Sequence, residues 1–189
     1  MTSGSMRLGH LEIPLFSLHD NKEAWSQDGE FLAAQALAPL ASLPLKHRKQ
    51  LSLIAVGPGA ATGVLAAATL RLGTVEASLH PDSQQICTKA FSDPDTFTLF
   101  EQVSSLPKGA KHHRALLAMG GTVPTSRDWD PLVSRLRHEG QLIVSGIPRK
   151  KQGDILEDLA AAGMSLRAAG QRGELAFLAG SLEGAPRLR

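Results

Sequence analysis

The sequence predicts an α/β protein, three layers around one mostly parallel sheet that closes with a C-terminal antiparallel hairpin. Three observations carry that prediction. From residue 51 onward short apolar runs alternate with amphipathic stretches, each run ending in a glycine-rich or polar turn, the pattern of strands covered on both faces by helices. The chain has 189 residues, 42% hydrophobic and 20% charged, which suits one globular core and excludes a fibre, a disordered tail or a membrane bundle. The last two apolar runs are joined by Gly170-Gln171-Arg172-Gly173, a connection too short for anything but antiparallel neighbours.

Taken in order, residues 7–20 read as an extended or irregular lead-in, with Leu11, Ile13, Leu15 and Leu18 near alternation and Pro14 interrupting it. A helix is expected over 28–43, where Phe31, Leu32, Ala36, Leu40 and Leu43 recur at three and four residues behind a Ser26 or Asp28 cap, with Pro39 and Pro44 limiting it. Lys46-His47-Arg48-Lys49 reads as a solvated loop or helix end. Strands follow at 51–56, 74–79, 96–100, 114–119 and 141–147, and helices at 61–72, 82–91, 128–138 and 151–162, the first closed by Gly73 and the last by Gly163. Strands at 165–169 and 174–180 form the hairpin. The chain thus divides into an N-terminal arm and helix (1–49), a sheet domain (50–183) and a tail (184–189).

Composition narrows the function. Lys and Arg number 20 against 18 Asp and Glu, a net charge of +2 that names no partner. The single cysteine, Cys87, and the absence of any Cys/His cluster at zinc spacing point to a cytoplasmic protein without a metal. No apolar run reaches the ~18–20 residues of a membrane helix, and the start lacks a signal-peptide layout. Tyrosine is absent and aromatics make up 4% of the chain, which disfavours recognition by base stacking.

The most informative segment is the turn between the first core strand and its helix, with Gly57, Gly59 and Gly63. At the carboxyl end of a parallel strand such a turn lets a nucleotide approach the backbone and meet free N–H groups at the helix start. A tight strand-to-helix turn also wants glycine without a ligand, so both readings stand. On the same rim, Gly120, Gly121 and Thr122 follow the fourth core strand, where a substrate or partner would sit.

Residues 140–147, 155–164 and 172–177, together with Gly63-Val-Leu-Ala-Ala-Ala, Leu72-Gly73 and Ala24-Trp25, resemble the class I S-adenosylmethionine-dependent methyltransferases. The resemblance is to the PrmA group of ribosomal-protein lysine methyltransferases, and it covers most of residues 24–180. It implies a Rossmann-like fold with cofactor contacts at Gly57, Gly59, Gly63, Ser78 and His80, and a substrate or partner rim at Trp25, Gly120, Gly121 and Thr122. The family's anchors depart here. Its acid at the end of the first strand corresponds to Ala55, its ribose-binding acid to Ser78, and its second acid to His80, while Trp25-Ser-Gln-Asp28 stands in for its Phe-Gly-Thr-Gly segment. Glu76 lies about 7 Å deeper along the strand. A hydrogen bond to a charged acceptor is worth roughly 1.5–3 kcal/mol, so losing the ribose carboxylate alone weakens binding about ten- to hundred-fold.

The resulting expectation is a methyltransferase-like protein with no cofactor, acting as a non-methylating binding or scaffold subunit with a protein partner or a second copy of itself. The alternative is an active methyltransferase that binds S-adenosylmethionine through Gly57, Gly59 and Gly63 and modifies a protein amine or small molecule. A third reading sets Lys108, Lys111 and Arg114 against RNA phosphates. His80 reads either as a general base or adenosine contact or as a surface loop histidine.

Overall fold

The computed structural model describes residues 2–8, 11–16, 27–106, 109 and 111–182. Two antiparallel strands, β1 (Thr2–Leu8) and β2 (Leu11–Phe16), form a separate hairpin. Of the two forms expected for the lead-in, extended or irregular, its described part takes the extended one, with Ile13 fully buried in the main core.

Helix α1 (Gln27–Leu37) is shorter than its periodicity suggested. Pro39 has no N–H to continue the ladder, so the chain tightens into a 3₁₀ turn over Ala38–Ser42 before the single turn α2 (Leu45–Arg48). The alternating region then gives β3 (Ser52–Val56), α3 (Ala60–Leu70), β4 (Thr74–Ala77), α4 (Pro81–Ala90), β5 (Phe97–Leu99), β6 (His112–Ala118), α5 (Ser126–Val133), β7 (Leu136–Pro148), α6 (Gln152–Ala161), β8 (Met164–Arg172) and β9 (Leu175–Leu182).

Seven strands make one sheet in the order β5-β4-β3-β6-β7-β9-β8, parallel from β5 to β7. β9 enters antiparallel between β7 and β8, as the short Gly170–Gly173 connection requires.

Two expectations about helix ends are corrected. α3 is closed by Arg71, which takes the left-handed conformation (φ 57°). Gly73 instead lets the chain pass Lys49, since a Cβ there would lie 1.9 Å from the Lys49 carbonyl oxygen. The helix expected over 128–138 ends at Val133, because the His112 N–H bonds the Arg135 carbonyl and Leu136 pairs with His112. Residues 136–140 thereby lengthen β7.

The core has two layers. One sheet face, with Leu53, Ala55, Ala77, Leu116, Ala118 and Ile143, packs under α1, α3 and β2. The other, with Ile54, Ala115, Leu117 and Val144, packs under α5 and α6 around the buried Trp129. α3 is apolar nearly all round because the sheet, α1 and the hairpin enclose it. α1 crosses the sheet antiparallel to β7. Its first turn meets Arg172, level with the carboxyl end of β7, and its far end lies beside Arg114 and Gln141 at the amino edge. The start of α1 therefore overhangs the carboxyl rim, where ligands of open α/β sheets bind.

Candidate functional site at the carboxyl rim

The glycine turn is built against β6. Gly57 has φ +97°, and a Cβ on it would lie 2.5 Å from the Ala118 carbonyl oxygen. The same oxygen accepts the Gly59 N–H at 3.0 Å, and Gly57 accepts from Ala60. Gly63 serves packing too, since a Cβ there would meet Leu116 Cδ2 at 2.1 Å. All three glycines are thus drawn to the β3–β6 junction, where β6 accounts for their tightness. Gly57 is half-buried, and exposed Pro58 forms the tip of the turn.

One strand further, the Ser78 N–H donates to the Ala55 carbonyl, and its Oγ donates to the Glu101 carbonyl at 3.2 Å. Ser78 therefore stands beside Glu101, whose exposed side chain is at the same rim. Glu76 is engaged elsewhere: its Oε2 is 3.3 Å from the buried His112 Nε2, close enough to pair electrostatically but without hydrogen-bond alignment. His80 caps α4. Its Nδ1 accepts the Asp82 N–H at 3.4 Å, and the ring is more than half exposed, so the helix-capping position accounts for it.

Across the rim, Gly121 has φ +93° and donates to the Met119 and Gly146 carbonyls, with open space where a Cβ would be. Gly120 is half-buried and Thr122 exposed, so this loop is accessible. Trp25 lies outside the described residues. The nearest described part of its segment is held down by Asp28, which accepts from Arg172 Nε at 2.7 Å, and by Phe31, whose ring carries the Arg172 guanidinium at 3.9 Å.

Two residues that pattern reading passed over are the most unusual chemically. Glu30, in the first turn of α1, is fully buried, and neither carboxylate oxygen has a partner among the described residues. Burial pushes its pKa from 4.5 up to about 8. Ser145, on β7, is fully buried, and its Oγ has no partner among the described residues. Strand alternation puts Ser145 on the same face as Ile143, the face that α1 covers. Both groups therefore belong to the layer between α1 and the carboxyl half of the sheet. Large cavities lie elsewhere, one of about 680 Å³ between the far ends of α3 and α4 and one of about 620 Å³ between α5 and α6. Among the described residues no group of three or more His, Cys, Asp or Glu is set to hold a metal, and no helix is long and apolar enough to cross a membrane.

No family model and no curated protein matches the chain by sequence. Its structure is similar to that of ribosomal protein L11 methylase from Lactobacillus delbrueckii subsp. bulgaricus, with a TM-score of 0.62 and 17% identity over 95% of this chain and 99% of that one. It is similar to precorrin-6y C5,15-methyltransferase from Geobacter metallireducens GS-15, with a TM-score of 0.57 and 15% identity over 90% and 100%. A third such structure, 1,6-didemethyltoxoflavin-N1-methyltransferase from Burkholderia thailandensis, was solved with S-adenosylhomocysteine bound and matches at a TM-score of 0.53 and 12% identity over 96% and 100%. These matches overturn the expectation of a fold kept without a cofactor, because its structural neighbours are methyltransferases across nearly the whole chain and one holds the demethylated cofactor. The strand order, the antiparallel β9 and this likeness identify the fold as that of the class I S-adenosylmethionine-dependent methyltransferases.

Proposed function

We propose that the protein binds S-adenosylmethionine at the carboxyl rim and transfers its methyl group to an amine-bearing protein or small molecule. The observation that carries this reading is Glu30. Dry and unpartnered among the described residues, Glu30 keeps its proton up to about pH 8, and a bound cation is what lets it ionise there. The cofactor is cationic at its sulfonium and at its α-ammonium, and when bound it supplies an electrophilic methyl group. Glu30 holds that cationic end, and the positive end of the α1 dipole favours its ionised form. Ser145 completes the contact. Ser78 and Glu101 take the ribose hydroxyls, and the Gly57–Gly59 turn allows close backbone approach. The loop Gly120-Gly121-Thr122 admits the acceptor.

The scaffold expectation rested on the joint departures at Ala55, Ser78, Trp25 to Asp28 and Gly120. Glu30 and Glu101 bring carboxylates to the same rim from other elements, which supports the methyltransferase reading over it.

Titration calorimetry of S-adenosylmethionine, and separately of S-adenosylhomocysteine, tests the reading. Micromolar binding is expected, with Glu30→Gln weakening it about ten- to hundred-fold, the equivalent of one charged hydrogen bond. A larger loss for the sulfonium ligand than for its neutral product places Glu30 at sulfur, and an equal loss places it at the α-ammonium. No heat from the wild-type protein at millimolar ligand refutes the proposal.

A further inference from the structure

The opposite, amino edge of the sheet gathers cations that are far apart in sequence. A cavity of about 280 Å³ is walled by His113, Arg114, Arg137, His138 and Glu139. An adjoining one of about 240 Å³ shares Arg114 and adds Gln141 and Arg167. Lys111 is exposed one residue before β6, and Lys46 and Lys49 flank the entry to β3 at the same edge. Among the described residues none of Lys111, Arg114, Arg137 and Arg167 has a carboxylate partner, although Glu139 lies on the lining.

A hydrogen-bond network holds these cations in place. The Ser52 N–H can only donate, and it does so to His113 Nδ1 at 3.1 Å. Ser52 Oγ lies 3.0 Å from the same nitrogen, and Nε2 lies against the Arg137 guanidinium, which can only donate. Arg114 is fixed beside them, its Nη1 donating to the His113 carbonyl at 2.8 Å. Among the described residues no aromatic ring lines either cavity, so an occupant is held by its charge and not by base stacking.

The geometry points to a docking groove for the phosphodiester backbone of a duplex nucleic acid, running along the amino edge from Lys111 and Arg137 past Arg114 to Arg167. It is independent of the cofactor site, which lies at the other end of the strands. With about three phosphates neutralised, the affinity has a log–log salt slope of about −2.7, a loss of roughly 40-fold between 50 and 200 mM KCl.

The test is fluorescence anisotropy of a labelled 20-base-pair RNA duplex and of the DNA duplex of the same sequence, at both salt concentrations. Binding at 50 mM KCl with that slope is expected, and equal retention of RNA and DNA assigns recognition to the backbone itself, while an RNA preference assigns it to the A-form groove. Arg137→Gln with Arg167→Gln changes two exposed side chains and is expected to keep the wild-type melting temperature while flattening the slope to about −1. Absence of binding at 50 mM KCl, a slope unchanged in the double variant, or binding to anionic phosphatidylglycerol vesicles without binding to either duplex overturns the proposal.

Discussion

Replacing Glu30 with glutamine tests the chemistry on which the proposed cofactor site depends. Burial raises the folded-state pKa of Glu30 from 4.5 to about 8, so the folded protein holds this proton more tightly than the unfolded chain. Stability from the group is complete below about pH 4.5 and is lost as pH rises toward about 8. Over that interval the unfolded chain has released the proton and the folded protein has not, so stability falls by about 1.4 kcal/mol per pH unit, roughly 5 kcal/mol in all. Glutamine keeps the shape and removes the titration. Urea unfolding of both proteins between pH 5 and pH 9 should show the variant gaining on the wild type by several kcal/mol across the range, with m-values unchanged. Saturating S-adenosylmethionine should narrow the gap by giving the ionised carboxylate a cation. A difference constant within about 0.5 kcal/mol from pH 5 to pH 9 would falsify the reading of Glu30 as buried and unpartnered, and with it the reason for placing a cation there.

Two other perturbations separate packing from binding and locate the acid sensitivity. Gly57→Ala forces a side chain into φ +97° and against a carbonyl oxygen, and about 2–4 kcal/mol of lost stability is expected by chemical denaturation. Gly63→Ala gains about 1 kcal/mol of helix propensity but meets the fully buried Leu116. It should lower the melting temperature while changing S-adenosylhomocysteine affinity less than threefold, and a tenfold affinity loss at unchanged melting temperature would return Gly63 to the ligand site. Burial holds the His112 pKa below its ordinary 6.5, with Glu76 opposing and Arg135 reinforcing the shift. The unfolded chain therefore takes up this proton first as pH falls below about 6.5, and stability drops. His112→Gln should flatten that acid limb in denaturation curves from pH 7 to pH 5, and an unaltered limb would move the effect to another group.

Most of the fold was legible because strand and helix periods are local. β3, β6, the inner part of β7, α4 and the C-terminal hairpin fall within a few residues of where alternation put them. The misreadings have tertiary causes. Leu132 and Leu136 stand four apart and suit a helix, but the bond from His112 to Arg135 draws the second into β7. Gly73 resembles a helix cap in sequence, and only the approach of Lys49 shows what it is for. The candidate functional residues were harder to see. A glutamate in the first turn of a helix ordinarily complements the dipole from solvent, so nothing in one sequence marks Glu30 as buried. Ser145 looks like a polar lapse in an apolar strand, and Glu101 like loop filler, until Ser78 is found bonded to its carbonyl. Position-by-position comparison registered the losses at Ala55 and Ser78 but could not find acids returning from α1 and from the end of β5.

The polarity of a parallel sheet makes the two proposed sites independent. Loops that follow the strands collect at the carboxyl rim, and strand starts collect at the amino edge, so Glu30 and Ser78 belong to one end and Arg114 and Arg137 to the other. β7 from residue 141 to residue 148 spans roughly 23 Å at the ordinary strand rise, more than two Debye lengths at 0.15 M salt. A phosphate held by Arg137 is too far away to be the methyl acceptor and too well screened to alter the charge balance at Glu30. The groove would anchor a large partner while another part of that partner, or a separate protein, reached Gly120 to Thr122. Linkage then requires S-adenosylhomocysteine and a short duplex to bind with a coupling factor near one. Strong coupling would demand a two-state element joining the edges, and α1, which runs from Asp28 at one to the neighbourhood of Arg114 at the other, is the element that could supply it.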